Sequence, residues 1–293
     1  MLVSINKVYK SPDFQDFFFV MKVAIQGIRG SYHHKVALEL FDDQIDIIEC
    51  LSFDELVDSA SRGLSDYGIM AIENSIAGSI IPNYSLIDDN GLSIIGEYYI
   101  NIHHNLMVYP GVSFNEITNI ASHPMALLQC KDFLKKTDKI IVEDKDTAQV
   151  AKRIMDEKVF DTAAIAGTEA AKMYGLEIIE TNIQTIKDNE TRFVVVSKSA
   201  DNAITKELNK ASLKFVLSHK NGSLANILNI LANYGLNLTK IQSIPIIQTP
   251  WKYSFFIDTT FSDFNKYKKA IDEVSLESEL VKEFGVYSNF KSQ

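Results

Sequence analysis

Cysteine is scarce in this chain: there are two in 293 residues, Cys50 and Cys130, both in apolar stretches and with no CxxC spacing. That excludes a disulfide framework and a cysteine-based zinc site, and it reads as a pair of buried, reduced thiols in a cytoplasmic protein. No apolar run approaches the roughly 18 residues of a membrane-spanning helix, so no membrane partner is expected. The first 20 residues carry Asp13, Gln15 and Asp16 ahead of Phe17, Phe18, Phe19 and Val20. That patch is too short and too acidic for a secretory signal, and residues 1–20 read as an extension open to disorder. Basic residues are in deficit: 29 Lys and Arg face 38 Asp and Glu, a formal charge of −9. Such a balance excludes a general nucleic-acid binder. It also means that an anionic ligand must be held by local cations, for which Arg29, Lys35, Arg192 and His123 are the candidates. Histidine offers the adjacent pairs His33-His34 and His103-His104. Neighbours in regular structure point different ways, so neither pair makes a metal site, and no metal is expected. Neither a GxGxxG nor a Walker loop is present, so no nucleotide is implied.

What is present is ample core, with 46% hydrophobic and 10% aromatic residues, in a chain long enough for two domains. Strand and helix patterns alternate from Met21 onward. Val23-Ala24-Ile25 is a short buried strand. Gly27-Ile28-Arg29-Gly30-Ser31 follows, then a helix over 32–41 and a strand over 45–50. Ser52 and Glu55 form a capping box for a helix running to Arg62. A strand over 67–72 empties into Glu73-Asn74-Ser75-Ile76-Ala77-Gly78-Ser79, a polar turn ahead of another helix. A second block repeats the grammar. Residues 93–108 are extended, and Ser122-His123-Pro124 opens a helix to Lys136 with proline in its first turn. A strand covers 139–142, and Thr147 caps a helix to Asp156. Ala163-Ala164-Ile165-Ala166 is a strand, and a helix over 168–174 ends at Gly175. This pitch predicts mainly parallel sheets in two lobes that face across a cleft, with a hinge near 97–100 and 185–190.

Residues 199–210 read as a polar linker, and the grammar then changes. A strand over 213–217 leads to a helix capped by Asn221, with Leu224, Ile227, Leu228 and Leu231 on one face and Gly235 at its end. Strands over 236–247 and 251–260, a helix over 263–274 and a strand over 281–287 complete the order βαββαβ of a ferredoxin-like plait, assigned to 211–293. The first domain is assigned to 21–198.

Each polar cluster has a plain reading and a chemical one. The Gly27–Ser31 turn puts backbone N–H groups and a helix N-terminus at a strand end, which is anion-site geometry as well as an ordinary connection. Glu73, Asn74 and Ser75 stand at the next strand end, where Asn or Ser also serves as a helix cap. His123 before Pro124 is either a general acid or a loop histidine with a structural hydrogen bond. Asn189-Glu190-Thr191-Arg192-Phe193 sets a hydroxyl donor beside a fixed guanidinium at the threshold of an apolar strand. That pairing suits an anionic small molecule that loses a hydroxyl or a carboxylate.

Together these segments resemble the prephenate dehydratase family, in its monofunctional form with a C-terminal ACT regulatory domain, over about residues 22–290. The resemblance rests on Gly27-Ile28-Arg29-Gly30-Ser31-Tyr32, Ala71-Ile72-Glu73-Asn74-Ser75-Ile76-Ala77-Gly78, and Ser122-His123-Pro124-Met125-Ala126-Leu127-Leu128-Gln129-Cys130. Asp146-Thr147-Ala148, Ala163 to Gly167 and Asn189-x-Thr191-Arg192-Phe193 complete it, all in order. Ala71 stands for the family's proline, Met125 for its glutamine and Gly167 for its serine. The resemblance implies a two-lobed catalytic domain like a periplasmic binding protein plus the ACT plait. It implies decarboxylative dehydration of prephenate to phenylpyruvate without a cofactor. It assigns Thr191, Arg192 and Phe193 to catalysis, and Gly30, Ser31, Glu73, Asn74, Ser75, Ser122, His123, Gln129 and Thr147 to the substrate. Glu73 is expected to orient the others, because its charge repels a dianion.

The same resemblance places phenylalanine, as a feedback effector, at Asn221, Gly222, Ser223 and Leu224 and at Gln242, Ser243, Ile244 and Pro245. Gln242 and Ile244 replace an acid and an arginine of the family's segment there. A dimer or tetramer is expected, and the 20 leading residues leave no room for a fused chorismate mutase. Two other readings stay open: a dehydratase acting on arogenate, and a cytoplasmic amino-acid sensor that shares the two-lobed cleft without catalysis.

Overall fold

The computed structural model describes residues 20–199, 208–218, 220–246, 249 and 251–290. The expected extension thus lies outside the described residues except for Val20, and so do residues 200–207 of the linker expected over 199–210. The chain forms two compact units. One takes the described chain up to Ile80 together with Tyr99–Phe193; the other takes Ile81–Tyr98 and the chain from Val194 onward.

The first sheet is built from β1 (Met21–Gln26), β2 (Ile45–Cys50), β3 (Tyr67–Asn74), β5 (Ser93–Asn101) and β11 (Glu190–Ser197). A two-residue β4 (Gly78–Ser79) folds back on the end of β3. Their order is β2-β1-β3-β11-β5, and β1 runs parallel to both β2 and β3. Val23, Ala24, Ile25, Ile69 and Met70 are fully buried, so these strands are covered on both faces and read as continuous apolar runs. Helices α1 (Tyr32–Phe41) and α2 (Phe53–Ser61) make the crossovers. Ser31 and Ser52 cap them, their hydroxyls accepting from His34 N–H and Glu55 N–H, both at 3.2 Å; each cap contributes about 1 kcal/mol. The Glu55 carboxylate closes its box on Leu51 N–H at 2.7 Å.

The second sheet contains β6 (Asn105–Val108), β7 (Asn119–Ser122), β8 (Ile140–Glu143), β9 (Thr162–Ala166) and β10 (Glu177–Glu180), in the order β10-β6-β9-β7-β8. β7 is parallel to β8 and β9, whereas β6 is antiparallel to β9 and to β10. The sheet is therefore mixed where mainly parallel pairing is predicted. The chain enters through β6 directly from β5, with no helix to turn it round, so β6 alone runs backward. Side-chain alternation splits the sheet's core in two. Met107, Ala121, Ala164 and Ala166 pack with α6 (Thr147–Asp156) and α7 (Thr168–Tyr174) on one face; Leu106, Val108, Ile120, Ala163 and Ile165 pack with Ala126 and Leu127 on the other. The single helix predicted to reach Lys136 is two, α4 (Pro124–Gln129) and α5 (Lys131–Leu134). Thr185 N–H donates to Gln129 O at 2.8 Å and takes that carbonyl out of the helical ladder, which explains the break at Cys130. The cap of α6 is Asp146, whose Oδ1 accepts from Ala148 and Gln149 N–H, and not the predicted Thr147.

The smaller unit holds α3 (Ile81–Asp89) and the plait: β12 (Lys210–Val216), α8 (Ser223–Asn233), β13 (Asn237–Pro245), β14 (Tyr253–Thr260), α9 (Phe264–Glu277) and β15 (Leu280–Tyr287). Its order, β13-β14-β12-β15, is antiparallel throughout. Ile227, Ile230 and Leu231 of α8 meet Tyr267, Ala270 and Val274 of α9 in its core. The cap of α8 is Gly222, at φ +84°, rather than Asn221, because only glycine enters that left-handed turn without strain. The side chains of Glu97 and Lys210 pair within this unit at 2.7 Å and are 0% and 4% exposed.

Candidate active site

Strand pairing carries most of the predicted residues to two sheet ends. In the first sheet the ends of β1 and β3 and the start of β11 coincide. Ser75 N–H donates to Glu190 O at 2.8 Å, and Glu190 N–H donates to the Ser75 hydroxyl at 2.9 Å. Thr191 is therefore beside Asn74, from opposite ends of a long sequence interval. In the second sheet the start of β6 and the ends of β7 and β9 coincide, which groups His104, Ser122 and Gly167.

One chain of hydrogen bonds joins the two ends, and its polarity can be read from the backbone. The carboxamide oxygen of Asn74 accepts from Ile76 N–H at 3.0 Å and Ala77 N–H at 2.8 Å, which fixes the orientation of the amide. Its nitrogen must then donate, and it meets Asn189 Oδ1 at 2.7 Å and Thr191 Oγ1 at 2.9 Å. Asn189 in turn donates through Nδ2 to Gln129 Oε1 at 2.9 Å. The same oxygen sits 2.9 Å from His104 Nε2, so that nitrogen carries the proton. His104 Nδ1 is left as an acceptor, 3.1 Å from the Tyr32 hydroxyl, whose single proton lies between it and His103 O at 2.8 Å. Burial holds the His104 pKa down and keeps the ring neutral, as this arrangement requires. The chemical result is local to Thr191. Its oxygen already accepts a hydrogen bond, and among the described residues no acceptor takes its own proton. It is a buried hydroxyl, 8% exposed, prepared to donate.

The other predicted residues divide by what their polar atoms already do. Arg192 and Phe193 are buried; Phe193 meets the His33 ring edge-on at 5.0 Å, and strand alternation sends Arg192 to the opposite face from Thr191. Gln129 is half-buried and central to the chain of hydrogen bonds. Ser122 is fully buried and donates to Ile165 O at 2.6 Å. His123 is exposed and accepts from Met125 N–H through Nδ1 at 3.2 Å as the cap of α4. Thr147 and Glu73 are half-buried, and Ser75 is exposed. In the glycine turn, Gly27 N–H goes to Cys50 O, Arg29 N–H to Glu49 Oε1, Gly30 N–H to His34 Nδ1 and Ser31 N–H to Ile28 O. Those donors are spent inside the protein, so an anion at this end has to be met by side chains or by the first turn of α1. Arg29 itself is turned to Glu49 at 3.4 Å. Two members of the chain, His104 and Tyr32, escaped the sequence reading of the site. The sequence marks His104 only by its place in the three-residue step between β5 and β6.

A cavity of about 40 Å³ opens beside this chain, lined by Gly30, Ser31, Tyr32, Lys35, His103 and Thr168 among others. Asp146 stands close by the turn, its Oδ2 2.9 Å from where a Cβ on Gly27 would lie, and burial raises its pKa. No group of His, Cys, Asp and Glu among the described residues is arranged to hold a metal, and no helix among them is long and apolar enough to cross a membrane.

Known proteins resemble this chain in sequence and in fold. The prephenate dehydratase family model matches residues 23–201. An Arabidopsis thaliana chloroplastic protein, arogenate dehydratase/prephenate dehydratase 2, is 35% identical over 247 residues. The match covers 81% of this chain and 65% of that protein, so the chain spans just under two thirds of its relative's length. Among solved structures, the Arthrobacter aurescens prephenate dehydratase in complex with L-Phe superposes with a TM-score of 0.82 at 24% identity, covering 93% of this chain and 92% of that one, a likeness of fold. GqqA, described as a novel type of quorum quenching acylase, also gives a TM-score of 0.82, at 25% identity over 93% of this chain and all of the other. With 179 residues matched to one family model and the motif residues Asn74, Gln129, Asn189 and Thr191 joined in a single chain of hydrogen bonds, the chain belongs to the prephenate dehydratase family.

Proposed function

We propose that this protein converts prephenate to phenylpyruvate, with Thr191 as the catalytic donor. The supporting observation is the 2.9 Å hydrogen bond from Asn74 Nδ2 to Thr191 Oγ1, in an amide whose orientation Ile76 and Ala77 fix. In this reaction the ring carbon–carboxylate bond breaks and CO2 leaves. The freed electron pair becomes a ring double bond, and the ring C–OH bond breaks on the far side. The departing hydroxide takes a proton from Thr191 Oγ1 and leaves as water; solvent returns a proton to the threonine. Aromatisation drives the step, so no cofactor is called for. Threonine is a weak acid, and a donor held ready in a dry site supplies what intrinsic acidity cannot. A donated hydrogen bond from Asn74 further stabilises negative charge on Oγ1.

In this reading residues 21–198 form the catalytic domain, hinged near 97–100 and 185–190. Parting of the lobes about that hinge would admit a ring with two carboxylates. The plait over 211–293 takes phenylalanine. A cavity of about 470 Å³ there is lined by Ser223, Leu224, Trp251, Tyr253 and Phe255, with Lys220 and Glu279 at hand for an amino acid's two charges. Ser243 and Pro245 lie one strand over, paired with Phe255 and Tyr253. The Arthrobacter aurescens protein in complex with L-Phe supports this assignment. Arogenate is the competing substrate, because a relative carries both activities in its name. An acylase reading lacks a base: among the described residues none takes the Thr191 proton.

The test supplies prephenate and follows phenylpyruvate by its absorbance in alkali, with arogenate and phenylalanine in parallel assays. Prephenate turnover that phenylalanine lowers is expected. Thr191→Val should cut turnover about 10²–10³-fold, the cost of one preorganised donor, with the melting transition retained. Near-native turnover in that variant would remove Thr191 from the mechanism, and turnover of arogenate alone would reassign the substrate.

A further inference from the structure

The chain of hydrogen bonds that reaches Thr191 has a second unspent donor. Gln129 Oε1 is taken twice, by Asn189 Nδ2 and by His104 Nε2, both at 2.9 Å. The Gln129 amide cannot be turned the other way round. Asn189 Oδ1 already accepts from Asn74, whose own orientation Ile76 and Ala77 fix. Asn189 therefore presents N–H, and Gln129 must present oxygen. Gln129 Nε2 is left with two N–H groups, and among the described residues no acceptor takes either. The residue is only half-buried, so these donors are within reach of a ligand.

His104 is the titratable member of this chain that no step of the reaction uses. It is 3% exposed. Its backbone and that of Gln129 hang from one segment. His104 N–H donates to Gln184 Oε1 at 3.0 Å, Ile183 N–H to His104 O at 2.8 Å, and Thr185 N–H to Gln129 O at 2.8 Å. The ring stands edge-on to Tyr32, with centroids 5.8 Å apart, and Nδ1 faces the Tyr32 hydroxyl at 3.1 Å. The ring N–H is therefore at Nε2, aimed at Gln129.

We infer that His104 is a positioning residue: it holds the Gln129 carboxamide so that Nε2 donates to the side-chain carboxylate of the substrate. The inference rests on the prephenate reading of this site. One hydrogen bond from Asn189 leaves the amide free to swing about its oxygen. A second donor occupies the other lone pair and fixes the direction of both Nε2 N–H bonds. The choice of carboxylate follows from the chemistry. A donor to the ring carboxylate would oppose its loss as neutral CO2, because it stabilises charge that the transition state disperses. The side-chain carboxylate persists into phenylpyruvate, so a donor to it binds without resisting the reaction. Thr191 acts only as the hydroxide departs, whereas Gln129 holds its partner throughout.

Two substitutions of His104 in the full chain separate positioning from packing. His104→Phe keeps a ring against Tyr32 but has no N–H. His104→Gln loses the ring but sets an amide N–H near the place of Nε2. With prephenate, His104→Phe should raise KM about tenfold or more, as for a lost hydrogen bond to a charged group, with kcat within about threefold. His104→Gln should return KM to within about threefold of the native value. A packing role would give the reverse order. Gln129→Met should raise KM about tenfold or more in the native chain and add at most about threefold to His104→Phe, because both act through one contact. The tautomer is read without turnover, from the ring nitrogens of isotope-labelled histidine, with the His104 signal assigned by its absence from His104→Gln. A proton on Nε2 is expected. A native KM in His104→Phe, a His104→Gln no better than His104→Phe, or a proton on Nδ1 would overturn this inference alone. A native chain that leaves prephenate untouched would overturn the proposed reaction, and this inference with it.

Discussion

His33 shows what burial does to a single side chain here. Its ring lies between Phe53 and Phe193, at 5.6 and 5.0 Å, and its Nε2 accepts from Ala71 N–H at 3.4 Å. Burial pushes its pKa down from 6.5 to about 3. In the unfolded chain the ring binds a proton below about pH 6.5, while in the folded protein it stays neutral to about pH 3. The unfolded state therefore holds more protons in that window, and stability is lost as pH falls through it, by several kcal/mol in all. His33→Gln should flatten the fall in the urea midpoint between pH 6.5 and 4, at some cost in packing at pH 8. An equal slope in both proteins would mean that other groups control acid unfolding. At this scale the sequence exposed identities but not orientations. Thr191 and Asn74 could be picked out as polar residues at strand ends. That Asn74 donates to Thr191 depends on two backbone N–H groups in the Ile76–Ala77 turn, which no residue pattern displays.

At the scale of elements, helices and strands followed from apolar period, caps and glycine stops, and the failures have local causes. The helix after Pro124 breaks because Thr185, distant in sequence, takes the Gln129 carbonyl. The cap of α8 moved to Gly222 because backbone conformation outweighed a side-chain acceptor. The packing of β5 against the plait was invisible, because it is carried by an ion pair between residues 113 apart in sequence. Glu97 accepts from Lys210 Nζ at 2.7 and 3.0 Å and from Phe290 N–H at 3.1 Å, with both charges out of water. Removing one partner strands the other, so Lys210→Met should cost about 3–5 kcal/mol in urea unfolding. Glu97→Leu with Lys210→Met should recover most of that loss, less about 1 kcal/mol for the Phe290 N–H left without its acceptor. A double variant as weak as the single one would show that the pair contributes through packing rather than through desolvated charge.

At the scale of the molecule, the two sheets that share the larger unit meet where side chains are smallest. Gly30 lies at φ +89°, and a Cβ there would stand 3.1 Å from Tyr174 Cε2 and 3.2 Å from the Cα of Ala170. Beside it the Tyr174 hydroxyl donates to Arg29 O at 2.5 Å. The sequence showed a glycine turn and, far along the chain, a helix over 168–174. It could not show that they touch, since the approach is between backbones and leaves no trace in apolar periodicity. A cavity of about 40 Å³ lies beside this contact, lined by Gly30 and by Tyr32, whose hydroxyl is 3.1 Å from His104 Nδ1 in the hydrogen-bond chain to Thr191. Gly30→Ala should therefore act on catalysis more than on folding. The left-handed backbone costs an alanine about 1 kcal/mol. The new methyl meets backbone at Ala170, which cannot swing aside as a side-chain tip would, so the glycine turn and α7 must separate by a few tenths of an ångström. In a site that works by preorganised donors, as proposed, misplacement on that scale lowers kcat by about tenfold or more. The expected record is a melting temperature within a few degrees of the native protein and a kcat that falls further than KM changes. If kcat held while stability fell by several kcal/mol, the glycine would be a folding requirement of the turn and the close approach to Ala170 would carry no catalytic weight.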